Sequence, residues 1–114
     1  MKKLFLVGLL IAFLPGCVAM PPYDEVDYGK TVDGKTYLRD TPRTWKYLKS
    51  EIDEGIASEL KGESPGGSFK SWNDARVHGI RHFRISGEIE NPEKYIAYLI
   101  DQRRKAGLPE IVFP

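Results

Sequence analysis

This 114-residue chain predicts a small, mainly α-helical domain of three helices, preceded by a short N-terminal β-hairpin or a turn in a loop. Three observations carry that expectation. Thr41-Pro42 and Asn91-Pro92 each pair a capping side chain with proline, and an apolar pattern repeating every three or four residues follows each pair. Such a pair starts a helix well, because the side-chain oxygen accepts an orphan backbone N–H and proline lacks the donor its position could not use. Finally, Asp33-Gly34 lies between short β-prone pairs, the composition of a tight hairpin turn.

In chain order, GKTVDGKTYLRD reads as a hairpin with a two-residue Asp33-Gly34 turn. Strands this short are marginal alone. The first helix starts at Thr41-Pro42 and repeats at Trp45, Leu48, Ile52, Ile56 and Leu60, with Gly55 on the same side and Gly62 as the stop. After the loop GESPGGS, Ser71 and Asp74 resemble a capping box. Beyond them Trp72, Ala75, Gly79 and Phe83 form one stripe, flanked by Ile80, and predict a helix through about Arg84. Residues 77–89 also carry a rival pattern, since Phe83, Ile85, Gly87 and Ile89 alternate with polar residues as a strand would. In the third helix Tyr95, Ile96, Tyr98, Leu99, Ile100 and Ala106 cover more than half the circumference, so this helix is expected at the centre, touching both others. Gly107 and Pro109 end it. A core this size supplies only a few kcal/mol of net stability, so docking of Ile111, Val112 and Phe113 onto the bundle, or self-association, would help.

The first 17 residues, MKKLFLVGLLIAFLPGC, follow a different logic. Two lysines precede an apolar run from Leu4 to Leu14, and small residues follow, which is the order of a secretory signal. Eleven apolar residues are too few for a bilayer core that needs about 20. Leu14, Gly16 and Cys17 resemble the lipobox of bacterial lipoproteins, with Pro15 where that family usually has Ala or Ser. The resemblance implies cleavage before Cys17, a diacylglyceryl group on its sulfur and acylation, palmitate for example, of the new amine. It further implies a cell-envelope location, and Val18 rather than Asp after the cysteine favours an outer membrane, facing the periplasm. The resulting division is a signal peptide over 1–16, a lipidated tether over 17–29 and a small helical domain over 30–114. Two or three acyl chains make the anchor durable, whereas a single chain holds only marginally.

Cleavage there leaves 15 basic and 16 acidic side chains, a net of −1. Nucleic-acid binding depends on clustered positive charge, so no nucleic-acid partner is expected. No thiol remains once the lone Cys17 is lipidated, so the domain folds without disulfides.

One string argues otherwise. Residues 29–36, GKTVDGKT, fit the Walker A pattern letter for letter. That loop works when a buried strand enters it and a helix N-terminus leaves it. Here PPYDEVDY precedes the string and Thr41-Pro42 opens a helix only five positions after Thr36. A glycine-rich turn is the expectation, with no nucleotide and no cofactor.

The other candidate chemistry is a spacing of four. Asp74, His78 and His82 share one stripe of the second helix, where two imidazoles and a carboxylate would supply three ligands to zinc, with Glu88 or Glu90 as a base. Solvated histidines supporting the helix are the competing account. Arg103-Arg104-Lys105 complements the negative end of the last helix, or meets anionic lipid headgroups. Tyr23, Tyr28, Tyr37, Tyr47 and Phe69 fall outside the predicted helix faces and are candidates for an exposed binding patch. No Gly-x-Ser-x-Gly string occurs. The expected function is therefore that of a non-enzymatic, lipid-anchored interaction module meeting an envelope protein or wall component. A metal-binding protein or metal-dependent enzyme using Asp74, His78 and His82 is one alternative, and an inhibitor or immunity-type lipoprotein the other.

Overall fold

A computed structural model describes residues 24–114. The leader, Cys17 and the first part of the tether lie outside the described residues. Over that range the protein has a two-stranded antiparallel hairpin, β1 (Tyr28–Lys30) and β2 (Thr36–Leu38), followed by three helices, α1 (Pro42–Leu60), α2 (Trp72–Ser86) and α3 (Pro92–Lys105). This is the small, mainly α architecture the periodicities predict.

Each helix begins on the residue whose chemistry favours it. The side-chain oxygens of Thr41, Ser71 and Asn91 accept the backbone N–H of Thr44, Asp74 and Lys94 at 3.2, 3.1 and 3.3 Å. The strand alternative for residues 77–89 gives way to helix as far as Ser86, where Gly87 takes the left-handed conformation, φ 74°, that ends the helix. Ile85, inward-facing in the strand reading, is 85% exposed.

The sheet is larger than its two strands suggest. Leu38 forms a parallel bridge with Ile89, donating its N–H to the Glu88 carbonyl and accepting from the Glu90 N–H, both at 2.8 Å. The linker after α2 therefore extends the hairpin by one residue and fixes it beside the bundle.

The core joins Trp45, Leu48, Ile52 and Ile56 of α1, Ile80 and Phe83 of α2, and Tyr95, Ile96 and Leu99 of α3, closed by Val26, Leu38 and Ile89. α3 packs against both α1 and α2, as its broad apolar arc requires. Several expectations need correction. The folded unit starts before residue 30: Val26 is 2% exposed and belongs to the core, and Tyr28 packs against it. Leu60, assigned to the inner face of α1, is exposed. The inner stripe of α2 is Val77, Ile80 and Phe83 rather than Trp72, Ala75, Gly79 and Phe83. Tyr47, placed outside the helix faces, is buried.

Of the final residues only Ile111 packs on the core. Val112 instead exchanges two 2.8 Å hydrogen bonds with the Asn73 amide at the start of α2, and the Arg81 guanidinium lies 5.7 Å from the centre of the Phe113 ring. The tail is thereby strapped along α2.

Candidate functional site

The Walker-like string folds as a hairpin. Thr31 and Lys35 pair across a three-residue loop, with Thr31 N–H to Lys35 carbonyl at 2.8 Å and Gly34 N–H to Thr31 carbonyl at 2.9 Å. Gly34 supplies the positive φ, 88°, that this loop requires. The loop is thus one residue longer than the expected Asp33-Gly34 turn. Lys35, which would have to reach phosphates in a Walker loop, puts its Nζ 2.7 Å from the Ser86 carbonyl, and Thr36 lies in β2 rather than at a helix start. The strand–loop–helix geometry that cradles phosphate is not formed by these residues.

α2 does bring His78 and His82 together. Their rings are nearly parallel, 6° apart in plane with centroids 6.3 Å apart, and the Phe69 ring flanks His78 at 5.3 Å. His82 Nε2 lies 3.1 Å from Glu88 Oε2, so the linker carboxylate, not Asp74, is the acidic neighbour of this pair. Asp74 is exposed and serves the helix start through its N–H. Glu90, the other proposed base, accepts the Asp40 N–H at 2.6 Å. Among the described residues no three His, Cys, Asp or Glu side chains converge on a point where they could hold a metal. Zinc sites are built from at least three protein ligands, and this geometry therefore does not favour the reading in which Asp74, His78 and His82 share a metal. The His78 Nε2 atom is enclosed without a hydrogen-bond partner.

The strongest electrostatics lie where the sequence pattern pointed to none. Glu51 is 2% exposed in the middle of α1, with its Oε2 unpartnered. Burial, then the charges of Glu54 and Glu25, push its pKa up to about 8, against a hydrogen bond from Tyr47 that works the other way. At neutral pH it is largely the neutral acid. Burial likewise pushes the Tyr47 hydroxyl well above its usual range. Position 51 is three residues after Leu48 and one before Ile52, so helical geometry places it on the inner arc. That spacing is the signal that could have revealed it.

Arg103 is a second surprise. It neither caps the helix dipole nor faces solvent: it is 4% exposed, ion-pairs with Glu59 of α1, and donates from Nη2 to the Pro109 carbonyl at 3.0 Å. Its place four residues after Leu99 carries the same signal. Arg76 lies over the Trp72 ring at 5.2 Å, with Nε and Nη2 enclosed and unpartnered, and burial holds its pKa below the usual guanidinium range. Arg104 and Lys105 stay outside and pair with Glu110 and Asp101.

Asp40 joins the hairpin to the helices. Its carboxylate takes the Lys94 ammonium at 2.9 Å and the Trp45 indole N–H, and Lys94 above all holds its pKa below the usual carboxylate range. The Arg103–Glu59 and Asp40–Lys94 pairs each join two elements and so position them. Among the described residues no helix is long and apolar enough to cross a membrane. Comparison with protein-family models, curated proteins and solved structures found no match for this chain.

Proposed function

We propose that this protein is a bacterial envelope lipoprotein. In this reading its small helical domain is held by acyl chains on Cys17 and acts as a non-enzymatic interaction module facing the periplasm or the cell surface, with an envelope protein or wall component as partner. The observation that carries the reading is the opening MKKLFLVGLLIAFLPGC: a basic start, an 11-residue apolar run and the only cysteine of the chain, placed right after a small residue. The charge left after cleavage, a net of −1, and the compact domain that begins by Val26 are consistent with a module standing on a short tether.

Metabolic labelling with an alkynyl fatty acid tests this directly. The expected result is label on the protein, absent from Cys17→Ala, and an N-terminal peptide whose mass shows cleavage before residue 17. Bare Cys17 with the leader still attached overturns the proposal. Capture of a single envelope partner by the lipidated protein, with no turnover by that protein, supports the module reading.

A further inference from the structure

Five large apolar side chains are exposed among the described residues, and four of them, Val32, Ile85, Val112 and Phe113, lie on one flank of α2 or at its end. The placement has identifiable causes. Asn73 straps Val112 to the first turn of α2, and Arg81 holds Phe113 near its middle. Ile85 follows Arg81 by four residues, the next position on the same face. Lys35 then reaches the Ser86 carbonyl at 2.7 Å and brings the hairpin loop, with a fully exposed Val32, to the C-terminal end of the helix. A 15-residue helix makes this flank about 22 Å long.

Charge and leash length point to what covers it. Lys30, Lys35 and Arg81 border the flank and join no ion pair with the described carboxylates. Two carboxylates stand beside them, Asp33 in the hairpin loop and Glu88 facing His82, whereas Asp74 lies at the far end in the first turn of α2, so the cations are in a majority of one. Exposed apolar side chains with a small excess of cations beside them suit the boundary between phosphate headgroups and acyl chains. Asp24 is only seven positions beyond Cys17, a reach of at most about 24 Å. Val32 is eight residues beyond Asp24, a path no longer than about 28 Å even if straight, and it is shortened by the turn over residues 24–26. A leash of that length lets Val32 and Ile85 meet the lipid surface while Cys17 stays in it.

We infer that this flank of α2, with the hairpin loop, rests on the bilayer that holds the Cys17 acyl chains, so that the domain has one fixed orientation with its other faces free for a partner. The inference rests on the lipoprotein reading.

The lipidated full chain offers a direct test, because acylated Cys17 leaves no free thiol. Single substitutions Val32→Cys, Ile85→Cys and Ser50→Cys are each labelled with an environment-sensitive fluorophore, and the proteins are reconstituted in vesicles of phosphatidylethanolamine and phosphatidylglycerol. All three positions are exposed, and Ser50 lies in the middle of α1, which packs on α3. Quenching by spin-labelled lipid is expected to be roughly threefold greater at positions 32 and 85 than at 50, and to fall when Lys30→Glu and Arg81→Glu are added. Equal quenching at all three positions overturns the inference. So does a blue shift at 32 and 85 without lipid quenching, which marks a protein partner or a second copy. The mass of the N-terminal peptide separates the two levels: acylated Cys17 with water-exposed probes refutes the docking alone, and unacylated Cys17 removes the anchor and the docking together.

Discussion

Replacing Glu51 with glutamine should make the domain more stable at neutral pH and erase most of its pH dependence. Glu51 is 2% exposed, and its carboxyl titrates at about 8 rather than the ordinary 4.5, because burial and the neighbouring Glu54 and Glu25 disfavour the anion. A folded-state pKa above the unfolded one means that the folded protein binds more protons, so stability falls as pH rises. The contribution is fully present below pH 4.5, declines through the interval up to about 8, and is lost above it. Over the whole interval the displacement corresponds to about 5 kcal/mol, of which about 3 kcal/mol is gone by pH 7, on the order of a third of a small domain's stability. Glu51→Gln keeps the shape and an acceptor for Tyr47 but cannot ionise. Urea unfolding followed by Trp45 and Trp72 fluorescence at pH 5, 6, 7 and 8 measures this, using Cys17→Ser protein so that no lipid intervenes. The wild type should lose stability steadily across the series while the variant stays nearly level, the gap reaching about 3 kcal/mol at pH 7. Parallel profiles for the two proteins would show that the Glu51 carboxyl is solvated in the folded state and refute the reasoning.

Other substitutions probe other layers. Arg103→Leu strands the Glu59 carboxylate and frees the Pro109 carbonyl. It should cost about 3–5 kcal/mol and expose the tail to carboxypeptidase, whereas adding Glu59→Leu should recover much of the loss in a melting experiment. Gly29→Ala would set its Cβ 2.6 Å from the far end of the Tyr37 ring, which must swing aside, so the hairpin should loosen by about 1 kcal/mol, visible as faster amide exchange at Thr31 and Arg39, whose N–H groups pair across it. Equimolar zinc should leave the melting temperature unchanged in wild type and in His78→Ala/His82→Ala alike, because Glu88 pairs with His82 and no three potential ligands converge among the described residues.

The helices were legible because their start signals are local. Thr41, Ser71 and Asn91 act through the three residues that follow them, so no tertiary knowledge is needed to place them. Faces were harder. In α2 the largest side chain, Trp72, drew the predicted stripe toward itself, yet its indole N–H reaches outward to the Glu63 carbonyl while Val77 and Ile80 turn in. Glu51 and Arg103 were missed for a related reason. Charged residues are rarely buried without partners, and the partners of Arg103, Glu59 and the Pro109 carbonyl, come from elsewhere in the chain. Spacing placed both on inner arcs, but residue type argued against it. The histidine pair followed from i, i+4 geometry alone, whereas its true acidic neighbour, Glu88, depends on the chain reversing at Gly87. The GKTVDGKT string shows the converse: eight matching letters, read without the elements on either side, specify a turn.

Asp27 gives the domain a mechanical property. Its carboxylate grips the Thr41 hydroxyl at 2.6 Å and Arg43 at 3.0 Å, its N–H meets Thr44 at 2.9 Å, and its carbonyl takes the Arg39 N–H at 2.9 Å. If the proposed anchor holds, a pull from the N-terminal side would reach this residue directly after the buried Val26. The cleat fastens the tow-line to the first turn of α1, so drag on a tethered domain would load several bonds at once instead of peeling the hairpin away strand by strand.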